Sequence, residues 1–218
     1  MELYIQLAEA FIESPGAVLS ILQISKKLDI PYGTAYNRIH QLAEMGVVRI
    51  VPHGKAKLCV INPSNPMASS ILALGAARKT SKFFTVQKEL SSRFSKLKDV
   101  FESRLIDHVH SAILLNPESL QISEPTKEIL LDESYQALDF FLILPQDKNN
   151  PPYLESELIS AGASSIQIVT PTTLLGMLSE KENDAGLLAY QMLRKGLLIT
   201  GFERFFSLVM KAFPSPNL

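Results

Sequence analysis

The stretch from Val18 to Asn62, VLSILQISKKLDIPYGTAYNRIHQLAEMGVVRIVPHGKAKLCVIN, constrains the fold of this chain more than any other. It opens with apolar-periodic Val18, Leu19 and Leu22, then Ile24-Ser25-Lys26-Lys27-Leu28 and a turn at Asp29-Ile30-Pro31. The spacing predicts a second helix from about Tyr32 to Met45. Gly46 closes it, because glycine tolerates the left-handed conformation that ends helices. Val47 to Val51 and Leu58 to Asn62 read as short strands, with Pro52-His53-Gly54-Lys55 as the turn between them. The expected order is helix, turn, helix, then a two-stranded ribbon with a basic tip.

The second helix has two chemically distinct sides. Ala35, Ile39 and Leu42 fall at i, i+4 and i+7 and face inward. Thr34, Asn37, Arg38 and Gln41 are left on the opposite side, with Tyr36 and His40 at its margins and no carboxylate before Glu44. Arginine pairs with guanine edges, asparagine and glutamine with adenine, and threonine and tyrosine with phosphate. A polar helix face is more often simply solvated. Lys26 and Lys27 one element earlier, Tyr32 at the helix start, and His53, Lys55 and Lys57 on the ribbon shift the reading to a nucleic-acid surface.

Over its first third the chain resembles the winged helix-turn-helix superfamily as prokaryotic, archaeal-type transcription regulators use it. The resemblance implies a DNA-binding domain over residues 1–66. Its first helix is expected from Glu2 to Glu13, with Leu3, Leu7, Ala10 and Phe11 on one stripe and Ser14-Pro15-Gly16 ending it. Asn62-Pro63-Ser64-Asn65-Pro66 reads as the domain boundary, because two prolines among turn formers continue neither strand nor helix.

At 218 residues and 46% hydrophobic, the chain is long enough to bury a core in each of two domains. The net charge of −1 means that affinity for a polyanion must come from local patches. The single cysteine, Cys59, excludes an internal disulfide framework and a multi-cysteine zinc site, and reads as a small buried hydrophobe. No stretch approaches the about 18 apolar residues of a membrane span, and the N-terminus lacks a basic n-region. These features lead us to expect a cytoplasmic protein.

Residues 67–107 read as a helical connector, broken near Gly75 or Thr80, with Phe84, Leu90, Phe94, Leu97, Phe101 and Leu105 on one stripe. Its polar side is basic (Arg78, Lys79, Lys82, Lys88, Arg93, Lys96, Lys98), which suits a homodimerisation element that also flanks phosphates. From residue 108 to 218 the texture becomes α/β. Strands are expected at Ser111–Leu115, Ala137–Pro145, Ser165–Val169 and near Gly196–Gly201. Helices are expected at Pro151–Ala161, after Thr170-Pro171, over Ala185–Arg194 with Asp184 as cap, and over Phe202–Phe213. The sum is an α+β chain whose second domain holds a small mixed sheet. His108 and His110 lie two apart, but no third ligand stands near them in sequence, so we expect no metal there.

The element order of the second half, and above all LLAYQMLRKGLLITGFERFFSLV, resembles the minimal nucleotidyltransferase fold. That resemblance implies a Gly-Ser after the first strand to cradle phosphates, paired aspartates on the second strand for Mg²⁺, and a third acid on the next. This chain departs at each place. Asn116-Pro117 replaces Gly-Ser, Ala137 and Asp139 replace the aspartate pair, and Gln167 stands where the third acid belongs. A lone carboxylate is a poor ligand set for a hard divalent ion. The expected function is therefore a DNA-binding regulator with a catalytically degenerate sensing or assembly domain. Asn116 and Asp139 would be the candidate pocket residues for a small-molecule or nucleotide ligand, and no cofactor or metal is expected. The alternative is a working nucleotidyltransferase that the winged helix positions.

Overall fold

A computed structural model describes residues 2–54, 56–86, 95, 99–103, 105, 107–115, 117, 138–145, 153–180 and 183–213. Among the described residues the chain is a mixed α+β protein with two small sheets. It divides into two compact units, residues 1–78 with 202–218, and residues 79–201.

The first unit begins with α1 (Glu2–Glu9), β1 (Leu19–Ser20), α2 (Ile21–Leu28) and α3 (Tyr32–Glu44). Ser20 starts α2 through a capping box: its Oγ accepts from the Gln23 N–H at 3.2 Å while the Gln23 Oε1 accepts from the Ser20 N–H at 2.7 Å. The helix stops at Asp29, a non-glycine residue at φ 51°. Buried Ser25 spans that turn by donating its hydroxyl to the Ile30 carbonyl at 2.6 Å. Ala35, Ile39 and Leu42 are the buried stripe of α3, as the periodicity predicts, and Gly46 follows the helix at φ 72°. Leu7, Phe11, Ile21 and Ile24 meet them in the core. Burial of each such side chain is worth about 1.5–3 kcal/mol.

β2 (Val48–His53) and β3 (Ala56–Ile61) form the expected ribbon, and with β1 they make an antiparallel sheet in the order β1-β3-β2. The turn is tighter than expected. His53 already pairs with Ala56, and Gly54 takes a positive φ of 57°, as tight hairpins favour. Pro52 fits because β2 is an edge strand and can omit a donor. Cys59 is wholly buried at the centre of the sheet. That burial pushes its thiol from the ordinary 9.0 up to about 12, against the lesser opposing pull of Lys57.

The proline-rich stretch after β3, read from the sequence as a domain boundary, is held to the end of α3 by side-chain hydrogen bonds. The carboxamides of Asn62 and Asn65 donate to the Gly46 and Met45 carbonyls at 2.8 and 2.9 Å, which caps the end of α3. Asn65 Oδ1 also accepts from the Met67 N–H at 2.9 Å, and Pro66 enters α4 (Pro66–Val86) as its first residue. Helix α4 is continuous, with no break at Gly75 or Thr80. Gly75 instead allows a close approach: a β-carbon there would lie 3.2 Å from Ala8 Cβ and 3.4 Å from the Ile5 carbonyl of α1. Arg78 and Glu9 lie 3.5 Å apart beside this contact.

In the second unit β4 (Ser111–Leu114), β5 (Asp139–Ile143), β6 (Ser165–Val169) and β7 (Leu197–Thr200) form a mixed sheet in the order β6-β5-β4-β7. Only β5 and β6 run parallel, joined through α5 (Leu154–Ser160). Phe140, Leu142 and Leu144 face a core shared with Phe101, Leu105, Leu154 and Leu158. Thr170 caps α6 (Pro171–Ser179) and Pro171 begins it, both as expected. The cap of α7 (Asp184–Lys195) is Asn183, not Asp184: its Oδ1 accepts from the Gly186 N–H at 2.7 Å. The last helix, α8 (Phe202–Val209), follows Gly201 as expected but groups with the first unit, where Glu203 accepts from Ser70 at 2.7 Å.

Candidate nucleic-acid interface

Helix α3 presents an exposed ridge of Gly33, Asn37 and Glu44, with Tyr32 exposed at its start. The two flanks of the ridge are built differently. On one side Lys57 of β3 sits on the face of the ribbon shared with Cys59 and points back at α3. Its ammonium donates to the Tyr36 hydroxyl at 2.7 Å, lies 3.1 Å from His40 Nε2 and stands 4.5 Å above the Tyr36 ring. Tyr36 and His40 stack with centroids 4.4 Å apart.

On the other side α1 supplies Tyr4. Its hydroxyl donates to Gln41 Oε1 at 2.8 Å, and Arg38 Nη1 donates to the same oxygen at 2.7 Å. The Arg38 guanidinium rests 5.5 Å from the centroid of the Tyr4 ring. Arg38 and Gln41 are half-buried rather than projecting, as is Thr34. Of the four polar residues expected to lead the face, Asn37 alone is exposed, and it has no hydrogen-bond partner among the described residues.

The remaining expected residues divide in the same way. Lys26 is exposed without a partner among the described residues. Lys27 is engaged within the fold, donating to the Ala10 carbonyl at 3.1 Å and pairing with Glu13 at 3.2 Å. His53 is exposed at the end of β2, and Lys55 lies outside the described residues. Arg78, expected on a phosphate-flanking side, is turned to Glu9. Lys79 and Lys82 also have partners, and the expected Lys88, Arg93, Lys96 and Lys98 lie outside the described residues.

Two features escaped the reading of the sequence. Arg49 is exposed on β2 without a partner among the described residues, on the face of the ribbon opposite Lys57. It also belongs to a run of 44 residues, Met45 to Lys88, that contains seven Lys and Arg and no Asp or Glu. The absence of acid over that span is the signal that would have found it. The first unit as a whole carries nine Lys and Arg against six Asp and Glu, and the second twelve against sixteen.

In the second unit Asp139 opens β5, half-buried, and accepts from Ser165 Oγ at 2.6 Å across the parallel register. Gln167 is exposed on β6, while Asn116 and Ala137 lie outside the described residues. His110 Nδ1 lies 2.9 Å from Ser111 Oγ, but that serine is wholly buried and donates its hydroxyl to the Gly201 carbonyl at 3.2 Å. His108 Nε2 instead meets the Tyr153 hydroxyl at 3.2 Å. Among the described residues no three His, Cys, Asp or Glu side chains converge, and no helix is long and apolar enough to cross a membrane. The chain matches no family model, no curated protein and no solved structure.

Proposed function

We propose that the first unit is a winged helix-turn-helix module that binds duplex DNA through α3 and the β2–β3 ribbon, and that the chain is a transcription regulator. One observation carries this reading: the exposed polar ridge of α3 stands beside a basic ribbon drawn from a long carboxylate-free run. A polyanion is attracted by such a surface, and an α-helix of this width fits the major groove. Lys26, Arg49 and Lys55 then meet phosphates, and the ridge meets base edges. The charge imbalance between the units supports the same assignment of roles. A homodimer doubles the contacts by placing two such helices on one duplex.

The second unit, in this reading, is a nucleotidyltransferase-like domain that senses a ligand or holds an assembly together. The support is the substitution pattern, Asn116-Pro117, Ala137 and Gln167 at the places where phosphate and metal chemistry needs glycine and acids, together with the engagement of Asp139 by Ser165.

Fluorescence anisotropy on a labelled random duplex of about two helical turns tests the proposal. Binding with a Kd of about 1–100 μM is expected near physiological salt, with weaker binding to a double-stranded RNA of equal length. No binding to DNA even at low salt overturns it. Incubation with labelled ATP and Mg²⁺ or Mn²⁺ tests the role of the second unit. Label incorporation that Asp139→Ala abolishes makes the chain an enzyme.

A further inference from the structure

We infer that Asn37 is the residue through which α3 selects a base, and that the base is adenine. The inference rests on the DNA-binding reading above and narrows it to one side chain and one base.

A carboxamide recognises adenine by using both of its ends at once: the oxygen accepts from N6 and the nitrogen donates to N7. Two carboxamides stand on α3. That of Gln41 is occupied, because its Oε1 accepts from the Tyr4 hydroxyl at 2.8 Å and from Arg38 Nη1 at 2.7 Å. A carbonyl oxygen has two lone pairs, so no acceptor capacity remains for an adenine. The Asn37 carboxamide is exposed, and both its oxygen and its nitrogen are free among the described residues.

The cations beside it are turned away from the ridge. Arg38, whose fork would otherwise favour guanine, lies against Tyr4, and Lys57 lies against Tyr36 and His40. Gly33, one turn before Asn37, has nothing within 4 Å of where a β-carbon would be. The helix backbone therefore meets no side chain of its own as it approaches a base pair, and the short Asn37 side chain reaches the edge. Arg38 and Gln41 act as positioning residues that fix α3 against α1.

The test is selection of bound duplexes from a randomised pool by the full chain and by Asn37→Ala and Arg38→Ala variants, followed by affinity measurements on the selected site. Asn37 is exposed on a helix, where alanine is at least as good a helix former, so the first variant folds. The wild type should select a site with an adenine at a fixed position. Asn37→Ala should lose preference at that position alone by about tenfold to a hundredfold. Arg38→Ala should keep the same preferred base. Asn37→Ala retaining the adenine preference overturns the inference while leaving DNA binding intact, as does a preferred base other than adenine at the position it controls. A wild type that binds no duplex overturns the DNA reading itself.

Discussion

Asp29 shows how a single residue ends α2. It holds φ at 51°, a region where a β-carbon crowds the following carbonyl and where aspartate is tolerated better than most residues. Stability in urea should follow the order Asp29→Gly above wild type above Asp29→Val, with the valine variant lower by about 1–2 kcal/mol. Equal stability of all three would mean that the turn does not depend on that conformation. Ser25→Ala removes the hydroxyl that bridges the same turn and leaves the Ile30 carbonyl short of a donor, which should cost about 1–2 kcal/mol. Cys59 provides a pH test. Its thiol is raised to about 12 in the fold, so the unfolded chain releases the proton first, near the ordinary 9.0. The stability this contributes is complete below about pH 9 and disappears as pH rises toward 12. Alkaline unfolding should therefore be delayed in Cys59→Ala relative to its own stability at neutral pH. A native thiol that reacts with an aromatic disulfide reagent at pH 8 as fast as free cysteine would refute its burial.

At the scale of elements, α3 was legible where its own periodicity decides and illegible where a neighbour does. Ala35, Ile39 and Leu42 had to be buried, because three apolar residues at helical spacing define one face. Arg38 and Gln41 look outward on that same wheel. They are half-buried because α1 lies along that flank and offers Tyr4, a contact spanning 37 positions between Tyr4 and Gln41 that no local pattern encodes. The proline-rich stretch after β3 makes long-range contacts of the same kind. Its prolines do end one element, but its two asparagines reach back to carbonyls at the end of α3 and make the stretch part of the fold. The cap of α7 moved by one residue because Asn183 and Asp184 are equally good capping types, and only the helix start distinguishes them. Tyr4→Phe tests the α1–α3 flank. Loss of one donor to Gln41 should cost about 0.5–1.5 kcal/mol by urea unfolding while the ring under Arg38 remains. No change would show that the hydroxyl holds nothing in place.

For the molecule as a whole, the sequence displayed the order of helices and strands better than it displayed their grouping. The final helix follows β7 in the chain and reads as the close of the second domain, yet it belongs with residues 1–78, where a β-carbon on Gly16 would meet the Phe213 ring at 2.6 Å. Such a return of the chain leaves no trace in local composition. The charged residues, by contrast, can be counted from the sequence once the units are known, and their division bears directly on function. A chain of net charge −1 divides into a first unit with an excess of bases and a second with an excess of acids. Attraction to DNA should therefore come from few phosphate contacts, and its salt dependence should be set by their number, about 0.9 of slope for each. The most direct measurement is the slope of log affinity for a random duplex against log salt concentration, for the wild type and for Lys26→Ala and Arg49→Ala. Each variant should flatten the slope by about one unit, as expected when one phosphate contact is lost. A slope that neither substitution alters, or an affinity that does not change with salt, would contradict the placing of a polyanion on this surface.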